Sequence, residues 1–484
     1  MKNYVCRLLA VLLIMCWGIV NIPITASAEV VENKDVYTQI ADQKSNEYHS
    51  QKAPDIEEDN NISILDVYNK IYDLVYDENS DTFNELYGGA YMNDQGKLVV
   101  LYVGDSNKLL NLLKENSILL NENIIFDKVE NSYNSLYEGK KRLKQTINGK
   151  SSLIDSLAYY YIDNKNNCIQ VVLKSNTINT EERGISTHGK WMDLLEDSVD
   201  VDIAFDYKDI EIVEAVDTVG DEKREITNYN ETTVNDRNTV SIYPGQVIFN
   251  DYVQDGKPFC SRFSVGMRGQ YIGTDGIAYF GFITVSHGIK GGDSIYIKIS
   301  GLNRIIGYCK WKYKDHTEGI DAAFIALKSG YEMTNTVYFD RAFEKNANSM
   351  AYEQVFSAAL HGDQVYSNYY SHMPDNFPVY TNGAATGRTV GTITTFEGEI
   401  PIGNTAANCY AISNNPAFQC DSGGIVYSNA TSNGTYDDYI TVGNVVATST
   451  GEDNVCVIMT YHRLRQVITQ SQSSLGNITF LTIY

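Results

Sequence analysis

From residue 241 onward the chain consists of short apolar runs rich in Ile, Val, Phe, Tyr and Thr, separated by Gly and polar turn residues. The clearest runs are 262–267, 277–285, 294–299, 322–327, 389–395 and 439–447. Strands this short cannot bury themselves singly, so such spacing predicts an all-β barrel or sandwich. One helical pattern follows at 461–472.

The front half follows a different pattern. Ile64, Leu65, Val67, Tyr68, Ile71, Tyr72, Leu74 and Val75 recur at helical spacing within 62–86, which Gly88 and Gly89 interrupt. Residues 90–92 and 98–103, around the turn 93–96, predict a hairpin, and 158–162 with 169–173 a second. Residues 107–116 and 133–147 read as helices, so 62–215 is expected to be a mixed α+β domain. No internal repeat is evident. Residues 218–238 lack any apolar period and read as a linker, the kind of segment where proteolytic nicking concentrates.

The first 28 residues have the form of a secretory signal. Lys2 and Arg7 precede an apolar run from Leu8 to Val20, and Ala26-Ser27-Ala28 offers a cleavage site. The run is shorter than the roughly 18 residues that read as a membrane span. Residues 29–61 form a polar leader. The expected layout is therefore 1–28 signal, 29–61 leader, 62–215 α+β domain, 216–240 linker and 241–484 β-domain, in a secreted, extracellular chain.

Charge sharpens that division. The net charge of −23 disfavours nucleic acid and anionic membranes as partners. Most of it lies in residues 29–240, with 41 acidic and 21 basic side chains, against 20 and 15 in 241–484. The β-domain is nearly neutral.

Three residues of that domain stand at strand–turn junctions. His287 closes the run Phe282-Ile283-Thr284-Val285-Ser286, Asp321 opens Ala322-Ala323-Phe324-Ile325, and Ser422 lies in Cys420-Asp421-Ser422-Gly423-Gly424. Alone, each fits an ordinary strand end or Gly-rich turn. Together they supply a nucleophile, a base and an acid to orient the base, in the His…Asp…Ser order of the chymotrypsin arrangement. A metal site around His316, Glu318 and Asp321 is disfavoured, because no H-E-x-x-H helix accompanies it. His316 and Glu318 read as solvated loop residues. No metal and no cofactor is expected.

The segment from Cys260 to about Val467 resembles trypsin-like serine endopeptidases of the bacterial streptogrisin and α-lytic type. Cys260-Ser261-Arg262-Phe263, Thr284-Val285-Ser286-His287, Asp321-Ala322-Ala323, Thr386-Gly387-Arg388-Thr389-Val390-Gly391 and Asp421-Ser422-Gly423-Gly424 carry the resemblance. Tyr87-Gly88-Gly89-Ala90-Tyr91 and Tyr159-Tyr160-Tyr161-Ile162-Asp163 are similar to the propeptides of that family. The resemblance implies two six-stranded antiparallel β-barrels with the triad between them, behind an α+β propeptide that aids folding and occludes the cleft.

It further implies Ser422 as nucleophile, His287 as base, Asp321 as its orienting acid, and the N–H groups of Cys420 and Ser422 as the oxyanion hole. The substrates would be polypeptides and the mature protein a monomer. The pocket would be lined by Pro416, Ala417, Ala447, Thr448 and Ser449. With no acid near Pro416, small or apolar side chains are expected there, or acidic ones through hydroxyls such as Thr448. Two departures stand out. Cys420 replaces a Gly of the family, and Gly288 replaces a Cys. The resemblance then pairs Cys260 with Cys309, and Cys456 with Cys409 or Cys420, leaving Cys168 or one other thiol over. The alternative is a catalytically impaired protease-fold binding protein, with Cys420 disturbing the oxyanion hole.

Overall fold

The computed structural model describes residues 64–480, apart from 119, 149, 176–186, 197–198, 215–216, 221–238, 255–256, 275, 300–301, 340–360, 367–370, 403–407, 433–436, 452 and 471–476. The expected signal segment, the leader and most of the linker lie outside the described residues. Asp59–Tyr484 is one compact unit. Among the described residues no helix is long and apolar enough to cross a membrane.

The front region contains one arrangement twice. Helix α1 (Ile64–Val75) precedes a hairpin of β1 (Tyr87–Met92) and β2 (Leu98–Val103), and helix α2 (Ser106–Glu115) then crosses to β3 (Ile124–Val129), parallel to β2. Helix α3 (Tyr133–Ile147) leads to the hairpin β4 (Leu157–Asp163) and β5 (Cys168–Lys174), and α4 (Thr187–Glu196) crosses to β6 (Ile203–Lys208), parallel to β5. Parallel pairing requires a crossover of this kind, which is why each unit needs its second helix. The helices start where expected: Asp105 caps α2 by accepting from the Asn107 N–H, and Ser132 caps α3 by accepting from Ser135. The repeat escaped the sequence because it lies in topology rather than in residue identities. Helix α1 ends at Val75, well before Gly88, because Tyr76 and Asp77 turn into a short strand paired with Thr82 and Phe83.

Strand β7 (Ile210–Glu214) follows, and then the β-domain. Its first sheet holds β8 (Val247–Gln254), β9 (Lys257–Ser264), β10 (Arg268–Ile272), β11 (Ala278–Thr284), β12 (Ser294–Ile299), β13 (Leu302–Asp315) and β14 (Ile320–Leu327), in the order β9-β8-β12-β13-β14-β11-β10. It curls into a half-barrel. The second sheet closes completely. Strands β15 (Pro378–Gly383), β16 (Gly387–Ile400), β17 (Asn408–Ser413), β18 (Ile425–Ser432), β19 (Asp437–Gly451) and β20 (Cys456–Thr460) form the antiparallel ring β15-β16-β17-β20-β19-β18. The two-barrel architecture is thus one closed six-stranded barrel and one curled half-barrel. Helix α5 (Tyr461–Gln470) ends the domain.

Alternation explains the buried site strand. Residues 320, 322, 324 and 326 of β14 enter the core between the two sheets, while Ala323 and Ile325 enter the half-barrel interior. Asp321 shares the latter face and is fully buried. The front region adheres to the closed barrel through a shared core, in which Leu65, Ile71, Phe83, Leu98 and Leu109 pack with Val379, Ile393, Val426, Val445 and Ile458. Each fully buried Leu or Ile contributes about 1.5–3 kcal/mol relative to exposure. Strand β4 also touches β16 at Tyr160 and Glu399, and β7 lies along β19.

Candidate active site

Strands β11 and β14 are neighbours, with Thr284 opposite Ala323, so the chain leaving β11 passes the start of β14. Gly288, at φ 79°, turns the chain just after His287. His287 and Asp321 consequently meet. Asp321 Oδ1 accepts from the Ser286 N–H at 2.7 Å, the Ser286 hydroxyl at 2.6 Å and the His287 N–H at 3.0 Å. Its Oδ2 faces His287 Nδ1 at short range. A carboxylate only accepts, so Nδ1 carries a proton, and in the neutral ring Nε2 is the acceptor. Burial pushes the Asp321 carboxyl up, but the charge and hydrogen bond of His287, with Lys314 and Ser286, outweigh it and hold the group well below the usual carboxylate range.

Ser422 comes from the other sheet, in the loop between β17 and β18. Its Oγ lies 3.0 Å from His287 Nε2 and 3.1 Å from the Val446 carbonyl, which share its single proton. Bonds from Asp421 N–H to Phe418 O, Gly423 N–H to Val445 O and Gly424 N–H to Asp421 O shape the loop, and none of them uses the Ser422 N–H. Gly423 has φ 85°, and a Cβ there would lie 2.1 Å from Thr284 Oγ1 and 2.5 Å from the Ser264 carbonyl. Only Gly fits. Asp421 braces the loop from behind, accepting from the N–H groups of Ala385, Thr386 and Phe418 and from the Thr386 hydroxyl. Burial raises its pKa, and these donors offset part of the rise.

Cys420 is buried and has φ 83°, a left-handed conformation that suits the Gly it replaces. Cys168, Cys309 and Cys456 carry free thiols. This corrects the pairings of Cys309 and Cys456 implied by the resemblance. Cys309 lies in the half-barrel core, near the Trp311 carbonyl at 3.5 Å, while Cys456 packs in the shared core, so each thiol fills apolar space as a small hydrophobe. The Cys260 and Cys409 side chains lie outside the described residues.

Of the expected pocket residues, Ala417 and Thr448 are in direct contact. Thr389 Oγ1 donates to the Pro416 carbonyl at 3.0 Å and Thr448 Oγ1 to the Ala417 carbonyl at 2.5 Å. Ala417, Ala447 and Thr448 are buried and Ser449 is half-buried. The Thr448 proton is therefore already engaged, which removes it as the anticipated donor to an acidic substrate.

Sequence reading missed Glu214, Lys314 and His316. Glu214 Oε1 lies 2.5 Å from Lys314 Nζ and 3.4 Å from His316 Nε2, and His316 Nδ1 meets the Tyr410 hydroxyl at 2.7 Å. His316 is thus a positioned residue rather than a solvated loop residue. Glu318 is likewise engaged, bonded to Arg463 through its carboxylate at 2.5 Å and its carbonyl at 3.0 Å. Glu214, His287 and Asp321 place ligand-type atoms within 4.8 Å of one another, the only such cluster among the described residues. Both His287 nitrogens already have partners, Asp321 and Ser422, so the arrangement suits proton transfer from a hydroxyl.

Residues 50–129 match the family model of the Pro-like N-terminal domain, a stretch that takes in the first of the two repeated units. No curated protein matches the chain. Among solved structures it is similar to Thermobifida fusca protease A, at 15% identity and TM-score 0.34. It is also similar to a Nocardiopsis protease, at 19% and 0.33, and to a Cellulomonas bogoriensis chymotrypsin, at 16% and 0.33. Each comparison covers 50% of this chain and 100% of the other. The front region thus matches a Pro-like N-terminal domain, which precedes the β-domain.

Proposed function

We propose that the chain is the precursor of a secreted serine endopeptidase that cleaves polypeptides through an acyl-enzyme. The observation that carries this reading is Ser422 Oγ at 3.0 Å from a His287 whose other nitrogen is held by a buried Asp321. Ser422 Oγ attacks the peptide carbonyl as His287 Nε2 takes its proton. The imidazolium, stabilised by Asp321, then protonates the departing amine. Water, deprotonated by the same nitrogen, attacks the acyl carbon, and His287 returns that proton to Ser422 Oγ as the acid product leaves. The N–H groups of Cys420 and Ser422 receive the oxyanion, and losing one such donor typically costs about 10²–10³ in kcat.

Residues 62–215 act as the propeptide and 241–484 as the protease, with export directed by 1–28. The zymogen part of the reading is supported by β7, which pairs antiparallel with residues 447–451 of β19, beside Ser422, and so fills the strand edge an extended substrate would use. Removal of the propeptide, by a cut within 228–243, frees that edge and leaves a monomer.

A second reading, a protease-fold binding protein, is favoured by Cys420 alone. The two differ in one comparison: wild type against Ser422→Ala, each purified and its N-terminus sequenced. The endopeptidase reading expects a new N-terminus within 228–243 in wild type only. A full-length wild-type chain that leaves casein intact after added protease removes the front region supports the binding protein.

A further inference from the structure

We propose that Lys314 and His316 form a subsite for an acidic substrate side chain beside His287, which Glu214 occupies in the precursor as a substrate surrogate. This rests on the endopeptidase reading and adds a substrate class to it.

The register sets the position. In the ladder between β7 and β19, Glu214 is opposite Ala447, Val213 opposite Thr448 and Ile212 opposite Ser449. Val446, one residue before Ala447, presents the carbonyl 3.1 Å from Ser422 Oγ. In the same register, the residue following the acidic one stands opposite Val446, at the nucleophile. The acidic residue is therefore the second before the bond that is cut. Main-chain pairing of this kind accepts any sequence, so selectivity comes from the alternate side chains and what they meet.

At this position they meet built positive charge. Lys314 Nζ lies 2.5 Å from Glu214 Oε1, and His316 Nε2 lies 3.4 Å from it. The His316 ring is not free to swing, because Nδ1 is bonded to the hydroxyl of the buried Tyr410. Lys314 pairs across the ladder with Asp321, so its backbone is fixed by the same strand that supplies the catalytic acid. The charges explain why the site is needed. A carboxylate close to Asp321 is repelled by it, and the Lys314 ammonium with the hydrogen bond of His316 offsets that repulsion. Burial pushes Glu214 up and Asp321 adds to this, but His316, His287 and Lys314 outweigh both and lower it to about 2. A Lys in the same place would meet the Lys314 ammonium.

The test uses the full-length chain after activation, with active enzyme counted by fluorophosphonate labelling of Ser422. Matched peptides carry Glu, Gln or Lys at the second residue before the cleaved bond. The readout is the ratio of kcat/KM for Glu over Gln, in which a general loss of activity cancels. Charge-assisted hydrogen bonds set the expected ratio at about 10–100 for wild type. Lys314→Ala lowers it toward one, and Lys314→Glu turns preference to the Lys peptide. A labelled wild-type enzyme that cuts Glu and Gln peptides equally, or a ratio unmoved by Lys314→Ala, overturns the subsite. If Ser422 does not label, the endopeptidase reading fails first, and the subsite fails with it.

Discussion

Ser264 binds the nucleophile loop with both its backbone and its side chain: its N–H donates to the Ser422 carbonyl at 2.7 Å, and its hydroxyl to the Cys420 carbonyl at 2.8 Å. The same hydroxyl accepts from the Ala384 N–H at 2.8 Å. The last residue of β9, in the half-barrel, therefore fixes a loop of the closed barrel across the cleft. Ser264→Ala leaves a buried carbonyl and a buried N–H without this partner. The expected loss is about 1–3 kcal/mol in stability, read from denaturant midpoints, together with a lower kcat as the loop loosens.

Cys420 is expected to be tolerated because its backbone already sits where Gly would, at φ 83°. Left-handed backbone costs an L-residue about 1–2 kcal/mol, and Gly avoids that cost. Cys420→Gly should match or exceed wild type in stability and keep kcat within about threefold, while a β-branched Cys420→Val should lose both. Thermal unfolding and peptide hydrolysis on the three proteins decide this. A large rise in kcat for the Gly variant alone would mark Cys420 as the impairing residue.

The buried thiols of Cys168, Cys309 and Cys456 should be inert in the native protein. Burial pushes Cys168 and Cys309 up to about 11 and Cys456 up to about 12, and only the thiolate reacts. Iodoacetamide at pH 8 should leave Cys168, Cys309 and Cys456 unmodified until guanidinium is added, then alkylate all three without reductant. Mass spectrometry that finds Cys309 or Cys456 blocked after unfolding contradicts the free thiols.

Acid should loosen β7. Glu214 has its carboxyl lowered to about 2 from 4.5, so ionised Glu214 favours the docked strand. For a depressed acid this contribution is complete above the free value and is lost as pH falls from about 4.5 toward 2. Hydrogen exchange in the Ser422→Ala chain should show protection at 210–214 falling across that window. Glu214→Gln should flatten the dependence. Protection that instead falls as pH rises reverses the sign and contradicts the assignment.

The cluster of His287, Asp321 and Ser422 was legible because each member stands at a strand–turn junction, where local pattern is strong. Strands 294–299 and 133–147 as a helix were legible for the same reason, their apolar periods being unbroken. Ser264, Glu214, Lys314 and His316 were not, because register alone brings them to the site. The 14-residue β13 was hidden by Lys310, Lys312 and Lys314, which interrupt its apolar pattern. The cysteine pairings failed because they were carried from the resemblance, whereas here the described thiols pack as core.

The central claim is that His287 activates Ser422. Once the front region has been cut from the full-length precursor, the remaining protein should react with a fluorophosphonate at Ser422, as mapped by peptide mass spectrometry. His287→Ala should abolish the reaction, and Asp321→Asn should slow peptide hydrolysis by about 10⁴. Equal labelling of wild type and His287→Ala, or none of either in folded protein, would contradict it.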